Sequence, residues 1–330
     1  MRKHFGKIGD KDIFLYVIKK GYVELTLTEW GASIVGIKAY GKEVAGGFDS
    51  LEAYLSDDSH QGATVGRVAN RIDGCSFVMD GKEYFLPDND GGATLHGGRG
   101  FSRRIWEAVS VKEDSICFKY LSKDGEEGFP SELEVLVEYS MTDGGFMIDY
   151  TAVPKGKTPI SLTNHTYFNL NGFGNDVRSH KAIIYADRYT EVDARLIPTG
   201  NRPDTHNTLF DFSVPTELSG GIDKMGGYDH NLHLNPIEHK SFGSVSLALA
   251  AKIYADKLEM RMYTDRPCVQ LYTGNFLGDG PSFKGEVKQV KHGAFCLEAQ
   301  TEPNSVKKGE NFFSPGEVYR QSTVYEFFPL

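Results

Sequence analysis

Hydrophobic and polar residues along this chain recur with a period of two, the period of a β-strand, in which successive side chains point to opposite faces. Val23-Glu24-Leu25-Thr26-Leu27-Thr28 alternates strictly, as a strand with one wet face does. Ala32-Ser33-Ile34-Val35-Gly36-Ile37 is its predicted partner, with Gly31 in the turn. Phe77 to Met79 and Lys82 to Leu86 flank Asp80-Gly81, a hairpin signal because the glycine can take the positive φ of a tight turn. Further strands are predicted over 116–120, 134–139, 146–153 and 257–264. In the second of these Val135, Val137 and Tyr139 share a face; in the last, Leu258, Met260 and Met262 do, against Glu259, Arg261 and Tyr263. Leu51-Glu52-Ala53-Tyr54-Leu55 is predicted as a short helix with Ser50 as its N-cap. Helical periodicity is otherwise nearly absent, and 37 glycines with 13 prolines supply many turns. The chain is therefore expected to be all-β, a large antiparallel sandwich with few short helices. Residues 187–227 show little alternation and read as extended loops, which at that length are commonly functional rims or lids.

One stretch breaks the apolar–polar rule. Residues 159–170, Pro-Ile-Ser-Leu-Thr-Asn-His-Thr-Tyr-Phe-Asn-Leu, are rich in β-branched and aromatic residues and lead into Asn171-Gly172, so they read as a strand ending in a turn. Alternation puts His165, Tyr167 and Asn169 on one face and Asn164, Thr166 and Phe168 on the other. A face with an imidazole, a phenol and an amide is a poor core surface, since each such group buried without a partner costs roughly 1–3 kcal/mol. It is either a hydrogen-bonded histidine inside a sandwich or the wall of a polar pocket.

The bulk numbers narrow the class of partner. No linker, repeat or long like-charge run divides the 330 residues, and one domain over 1–330 is expected. A formal net charge of −9 disfavours nucleic acid and anionic membranes, which need clustered Lys and Arg. Cys75, Cys117, Cys268 and Cys296 have no metal-type spacing and make no disulfide framework, so they are expected as free thiols in a reducing compartment. The basic start, Met1-Arg2-Lys3-His4-Phe5-Gly6-Lys7, has no apolar segment behind it, and no stretch approaches the ~18 apolar residues of a membrane helix. The expectation is a cytoplasmic protein, monomer or homodimer.

Four further stretches carry polar residues where a sandwich core has no use for them. Gly66-Arg67-Val68-Ala69-Asn70-Arg71-Ile72 offers two arginines that are either surface charges or, with Asn70, fixed donors for hydroxyl groups. Leu95-His96-Gly97-Gly98-Arg99-Gly100-Phe101 lacks the GxxxxGK[ST] pattern of a phosphate loop, and its glycines are read as letting the backbone approach a ligand to which His96 points. Tyr228-Asp229-His230-Asn231-Leu232-His233 holds two histidines three apart, but no third ligand at a recognisable spacing, so no metal is expected and Asp229 is read as an acceptor for sugar hydroxyls. In Cys296-Leu297-Glu298-Ala299-Gln300 a carboxylate sits mid-strand with Cys296 and Gln300 on its face, either in a structural ion pair or as a general base. Upstream, Gln270 and Tyr272 share a strand face. No GxSxG elbow supports a serine hydrolase, while Asp229 and Glu298 keep a two-carboxylate glycosidase open.

Taken together, these stretches resemble the galactose mutarotase (aldose 1-epimerase) family. Gly66–Ile72, Leu95-His96-Gly97-Gly98, Asn164-His165-Thr166-Tyr167-Phe168-Asn169-Leu170, Asp229-His230-Asn231, Tyr272-Thr273-Gly274-Asn275-Phe276 and Leu297-Glu298-Ala299-Gln300 occur in the family's order over nearly the whole chain. The resemblance implies a β-supersandwich and cofactor-free interconversion of the α and β anomers of an aldohexose. It implies His165 as general acid, Glu298 as general base, and Asn70, Arg71, His96, Tyr167, Asp229 and Gln270 as substrate contacts. The chain departs from the family pattern at Ala299, where threonine is usual, at Leu232, where phenylalanine is common, and in a slightly short loop after Leu95. Alternation sends residue 299 away from the Glu298 face, so the base is expected to survive. Two alternatives remain at this point. One is an epimerase of a phosphorylated hexose, for which Arg99, Arg103 and Arg104 would be rim cations; the other is a non-catalytic carbohydrate-binding module, which has no need of Glu298 opposite His165.

Overall fold

Leu133–Met141 and Gly145–Pro154 bury alternate residues, and their hairpin lies within a ten-stranded antiparallel sheet of the computed structural model, which describes residues 2–330. On one side of the hairpin come Ser115–Ser122 and Glu107–Val111; on the other come the C-terminal strand Tyr319–Pro329, then Leu258–Thr264, Val245–Tyr254 and Lys181–Ile184. Two sheets of five and four strands pack with it, and four two-stranded ladders lie beside them. Arg2–Ile8, Lys11–Lys20, Val23–Thr28, Ser33–Ala39 and Lys42–Glu43 form an N-terminal meander. Ala186–Tyr189, Asp229–Leu234, Cys268–Tyr272 and Cys296–Gln300 form a four-stranded sheet.

One hydrophobic core joins all three sheets. Leu25 and Ile34 of the meander, Phe118 and Val137 of the ten-stranded sheet, and Leu271 and Leu297 of the four-stranded sheet belong to the same buried cluster. Burying large aliphatic side chains of this kind contributes roughly 1.5–3 kcal/mol each. Polar atoms within the core are used to lock layer to layer. The Tyr139 hydroxyl donates to Ala32 O (2.6 Å), the Tyr325 hydroxyl to Leu297 O (2.9 Å) and Gln321 Nε2 to Ala299 O (3.1 Å).

The short-range expectations hold. Val23–Thr28 pairs with Ser33–Ala39, and Ser76–Met79 pairs with Lys82–Phe85 across Asp80 and Gly81, both at positive φ. The helix spans Leu51–Ser56, and the Ser50 hydroxyl accepts from Ala53 N–H. The strand over 258–264 is buried on both faces. Tyr263, on the face away from Leu258, Met260 and Met262, is 1 % exposed, because the ladder strand His239–Phe242 brings Phe242 onto its ring in a second cluster.

Residues 159–170 do not form one strand. Thr158–Pro159 pairs with Phe312–Phe313, Thr163–Asn164 with Thr64–Val65, and Phe168 only bridges Ala45 and Phe295. The segment threads between sheets and changes partner every few residues. Ser161 N–H donates to Arg67 O, His165 N–H to Ala63 O and Asn169 N–H to Val44 O. Residues 187–227 are mostly loops, as read, but include a short helix, Ser219–Met225, that the pattern did not reveal, and none of them borders the central cavity described below. Among the described residues no helix is long and apolar enough to cross a membrane.

Candidate active site

The four-stranded sheet explains how a strand can be wholly buried and still alternate. Register pairs Asp229 with Tyr272, Tyr272 with Cys296, and Gln270 with Glu298, so these side chains share one face. Leu232, Val269, Leu271, Leu297 and Ala299 take the other face, inside the core. Ala299 and Leu232, two of the three departures from the family pattern, thus sit on the core side and away from the polar face. That polar face forms one wall of a cavity of about 630 Å³, counting its open mouth, in the range of small-molecule sites.

Histidines supply the opposite wall. His165 and Tyr167 point into the cavity from the threading segment, with ring centroids 4.9 Å apart. Asn169, expected on the same face, is turned away and donates to Asn175 O and Gly293 O, because regular alternation stops where the strand does. His96 meets His165 edge-on at 5.2 Å. Asn70 N–H donates to His96 Nδ1 (3.2 Å), which fixes the neutral tautomer with the proton on Nε2. His96, Gly97 and Gly98 all have positive φ, and a Cβ on Gly97 would lie 2.3 Å from Gly66 O. These glycines therefore let two stretches of this chain cross; they were expected to make room for a ligand.

Two residues singled out in the sequence move to other roles. Gln270 does not border the cavity; its Nε2 donates to Asp229 Oδ1 (2.6 Å) and holds that carboxylate from behind. Arg67 is buried in a separate hydrogen-bonded socket, whereas Arg71 lines the cavity, held by Asp90 (2.6 Å) and Asp229 (3.7 Å). Asn70, His96, Tyr167, Asp229, His165 and Glu298 all border the cavity. The Tyr167 hydroxyl is spent on Ser59 O (3.0 Å), so its ring is what the cavity sees. Sequence reasoning missed Asp58, Ser59, His60 and Leu277, which lie on loops with no strand period to place them.

Rival chemistries lose their geometry. His230 and His233 point to opposite faces of Asp229–Leu234: His230 packs on Phe210, His233 bonds Thr190. Arg103 pairs with Asp58, Arg104 with Glu126 and Glu127, and neither they nor Arg99 borders the cavity, so none of these three serves as the rim cation that a phosphorylated sugar would need. One ligand atom each from His96, His165 and Glu298 lies within 4.8 Å of the others, a set that also has the composition of a cation site.

Glu298 Oε1 stands 3.7 Å from His165 Nε2, too far for a direct hydrogen bond. Among the described residues Glu298 Oε2 has no hydrogen-bond partner. Burial pushes the Glu298 carboxyl well up, with the neighbouring Asp229 charge adding to it and Arg71 opposing. Burial also pushes His165 down to about 3, helped by His60. Ordinary pKa values and mutual attraction alone would favour a carboxylate beside an imidazolium here, and burial opposes both charges in the open pocket. Desolvation disfavours the charged form of each group.

The histidines carry a stability consequence. Burial lowers His165, and also His60, His180 and His230, each to about 4, and His96 well below its usual value. A histidine depressed in the fold takes up its proton only on unfolding, so its contribution is present above the ordinary pKa of about 6.5 and lost as pH falls towards 4. Glu298 and Asp229, both raised, act in the opposite direction but are outnumbered. Urea unfolding is expected to show a loss of more than about 2 kcal/mol between pH 7 and pH 5; an unchanged midpoint over that range would contradict it.

Residues 15–326 match the family model described as aldose 1-epimerase. The chain belongs to the aldose 1-epimerase family. Galactose mutarotase of Rattus norvegicus is 38 % identical over 99 % of this chain and 98 % of its own length. Aldose 1-epimerase of Escherichia coli is 35 % identical over 92 % of this chain and 91 % of its own. The crystal structure of an aldose epimerase homologue from C. elegans superposes with a TM-score of 0.87 at 27 % identity, covering 96 % of this chain and 99 % of that one. Enzymes of the aldose 1-epimerase family are isomerases that need no cofactor. The glycosidase and binding-module readings are thereby set aside.

Proposed function

We propose that this protein interconverts the α and β anomers of a free aldohexose such as galactose or glucose, with Glu298 as base and His165 as acid. The observation that carries the reading is the 3.7 Å gap between a buried carboxylate and a buried imidazole, bordered by hydroxyl-binding groups and open to solvent at one end. That spacing suits the two oxygens that share C1 of a pyranose, its hydroxyl facing Glu298 and its ring oxygen facing His165.

Glu298 takes the C1 hydroxyl proton while His165 gives one to the ring oxygen, and the C1–O5 bond breaks. Rotation about C1–C2 presents the other face of the aldehyde, and the two residues exchange roles for closure. Burial disfavours both charged forms in the open pocket, so binding must favour the carboxylate and the imidazolium together. Sugar hydroxyls supply the reason: donated to the unpartnered Glu298 Oε2, they stabilise the carboxylate that burial disfavours. Arg71 and Asn70 donate to hydroxyls, Asp229 accepts from them, and Gln270 keeps Asp229 in place. Sites built this way discriminate because a missing hydroxyl leaves their own groups unpaired.

Polarimetry of freshly dissolved α-D-galactose and α-D-glucose tests the reading. Relaxation to the anomeric equilibrium is expected to accelerate in proportion to protein concentration with at least one of them, and a relaxation rate equal to the buffer rate with both would refute it.

A further inference from the structure

The histidine wall contains a third imidazole that belongs to none of the stretches that carried the functional reading. His60 borders the cavity, with its ring 4.9 Å from His96 and 6.1 Å from His165. It follows the helix Leu51–Ser56 on a loop tied down at several points. Arg103 Nη2 donates to Asp57 O (2.5 Å) and pairs with Asp58, Ser59 O accepts from Tyr167, and Gly62 N–H donates to His165 O (3.0 Å). His60 itself is at φ +59°, a left-handed conformation that a non-glycine residue adopts at a cost. Its ring Nδ1 is 2.8 Å from the buried Ser102 hydroxyl, while Nε2 has no protein partner among the described residues and the ring faces the cavity. A ring oriented by a serine, on an anchored loop, with its other nitrogen free, is built to meet a ligand.

We propose that His60 is a specificity-determining residue that accepts a hydrogen bond from one sugar hydroxyl, and that Ser102 is its positioning residue. The inference rests on the aldose 1-epimerase reading and deepens it. The tautomers of the two neighbouring rings are complementary. His96 must present Nε2–H to the cavity, because its Nδ1 already accepts from Asn70. A hydroxyl that accepts from His96 still has its own proton to give. With Nδ1–H donated to Ser102 Oγ, His60 offers the Nε2 lone pair on the same wall, one ring away. The hydroxyl is then held as acceptor by one histidine and donor by the other, a pairing that a hydrogen or a fluorine at the same carbon does not satisfy. Both rings remain neutral under working conditions because both are desolvated, so the contact does not compete for the proton shared by His165 and Glu298.

The test is mutarotation kinetics of wild-type protein, His60→Phe and Ser102→Ala with α-D-galactose and its 2-, 3-, 4- and 6-deoxy and monofluoro analogues. The wild type is expected to lose at least about 10-fold in kcat/KM with the analogue altered at one position. His60→Phe keeps a ring of similar shape and is expected to lose about 10-fold on galactose itself, in KM, with kcat within about 3-fold. It should treat the critical analogue and galactose alike, because the group that read that hydroxyl is gone. Ser102→Ala should give a smaller loss at the same position and carries the test if His60→Phe does not fold. Unchanged kinetics, or an equal loss on every sugar, in whichever variants fold would overturn the proposal. A wild type inert towards α-D-galactose and α-D-glucose alike would refute the enzymatic reading, and this inference with it.

Discussion

Replacing Glu298 by glutamine is expected to lower kcat at least about 100-fold and to leave KM within a few-fold. The amide has the shape of the carboxyl group and the same strand position, paired with Gln270, but cannot take a proton. His165→Asn is expected to do the same from the other side of the gap. Because the two hold one proton between them, the double variant should cost about as much as either single one, and additive losses would argue that they act in separate steps. Loss of activity can be told from loss of structure, because the expected signs are opposite. Glu298 is buried with an unpartnered oxygen and a raised pKa, so it destabilises the fold it works in. Glu298→Gln should therefore be as stable as wild type or more so in urea, while nearly inactive by polarimetry. Near-normal turnover in a well-folded Glu298→Gln protein would remove Glu298 from the role of base.

Replacing Arg67 by methionine is expected to destabilise the protein by about 3–5 kcal/mol. The guanidinium, 2 % exposed, gathers a strand end, the turn after it and a distant segment. Its Nη1 donates to Pro130 O (2.6 Å) and Thr158 Oγ1 (3.0 Å), its Nη2 to Lys123 O (3.0 Å), and Nε and Nη2 to Ser122 Oγ (3.2 and 2.9 Å). Methionine fills much of the volume but leaves these oxygens buried without donors. Lysine retains a charge but cannot span oxygens on three segments with a single ammonium, so Arg67→Lys should recover less than half of the loss. The midpoint of urea unfolding reads both. The same variants should raise KM as well, because Arg67 anchors the run that ends in Asn70 and Arg71. An Arg67→Met protein as stable as wild type would show that water replaces the guanidinium in its socket.

The difference between these two arginines shows where sequence stops being informative. Arg67 and Arg71 are four residues apart in one motif, and nothing local says that one is a structural rivet and the other a cavity donor. The sheet from Leu133 to Pro154, the Asp80-Gly81 hairpin and the polar face of Cys296–Gln300 were legible because strand alternation and turn chemistry act between near neighbours. The same rule put Glu298 and Gln270 on one face and Leu297 and Ala299 on the other. It failed at Asn169, where the chain leaves its partner strand and the period no longer constrains the side chain.

By itself, then, the sequence determined the all-β architecture, the polar strand faces, the family, and His165 and Glu298 as the pair to examine. Tertiary structure alone decided which polar groups share the cavity. It brought His60 to His96, set Gln270 one step behind Asp229, and left Arg103 and Arg104 outside. It also set burial against the charges of the acid–base pair. Desolvation is the sum of everything that surrounds a group, drawn from segments far apart in the chain. No pattern of neighbours in the sequence records it.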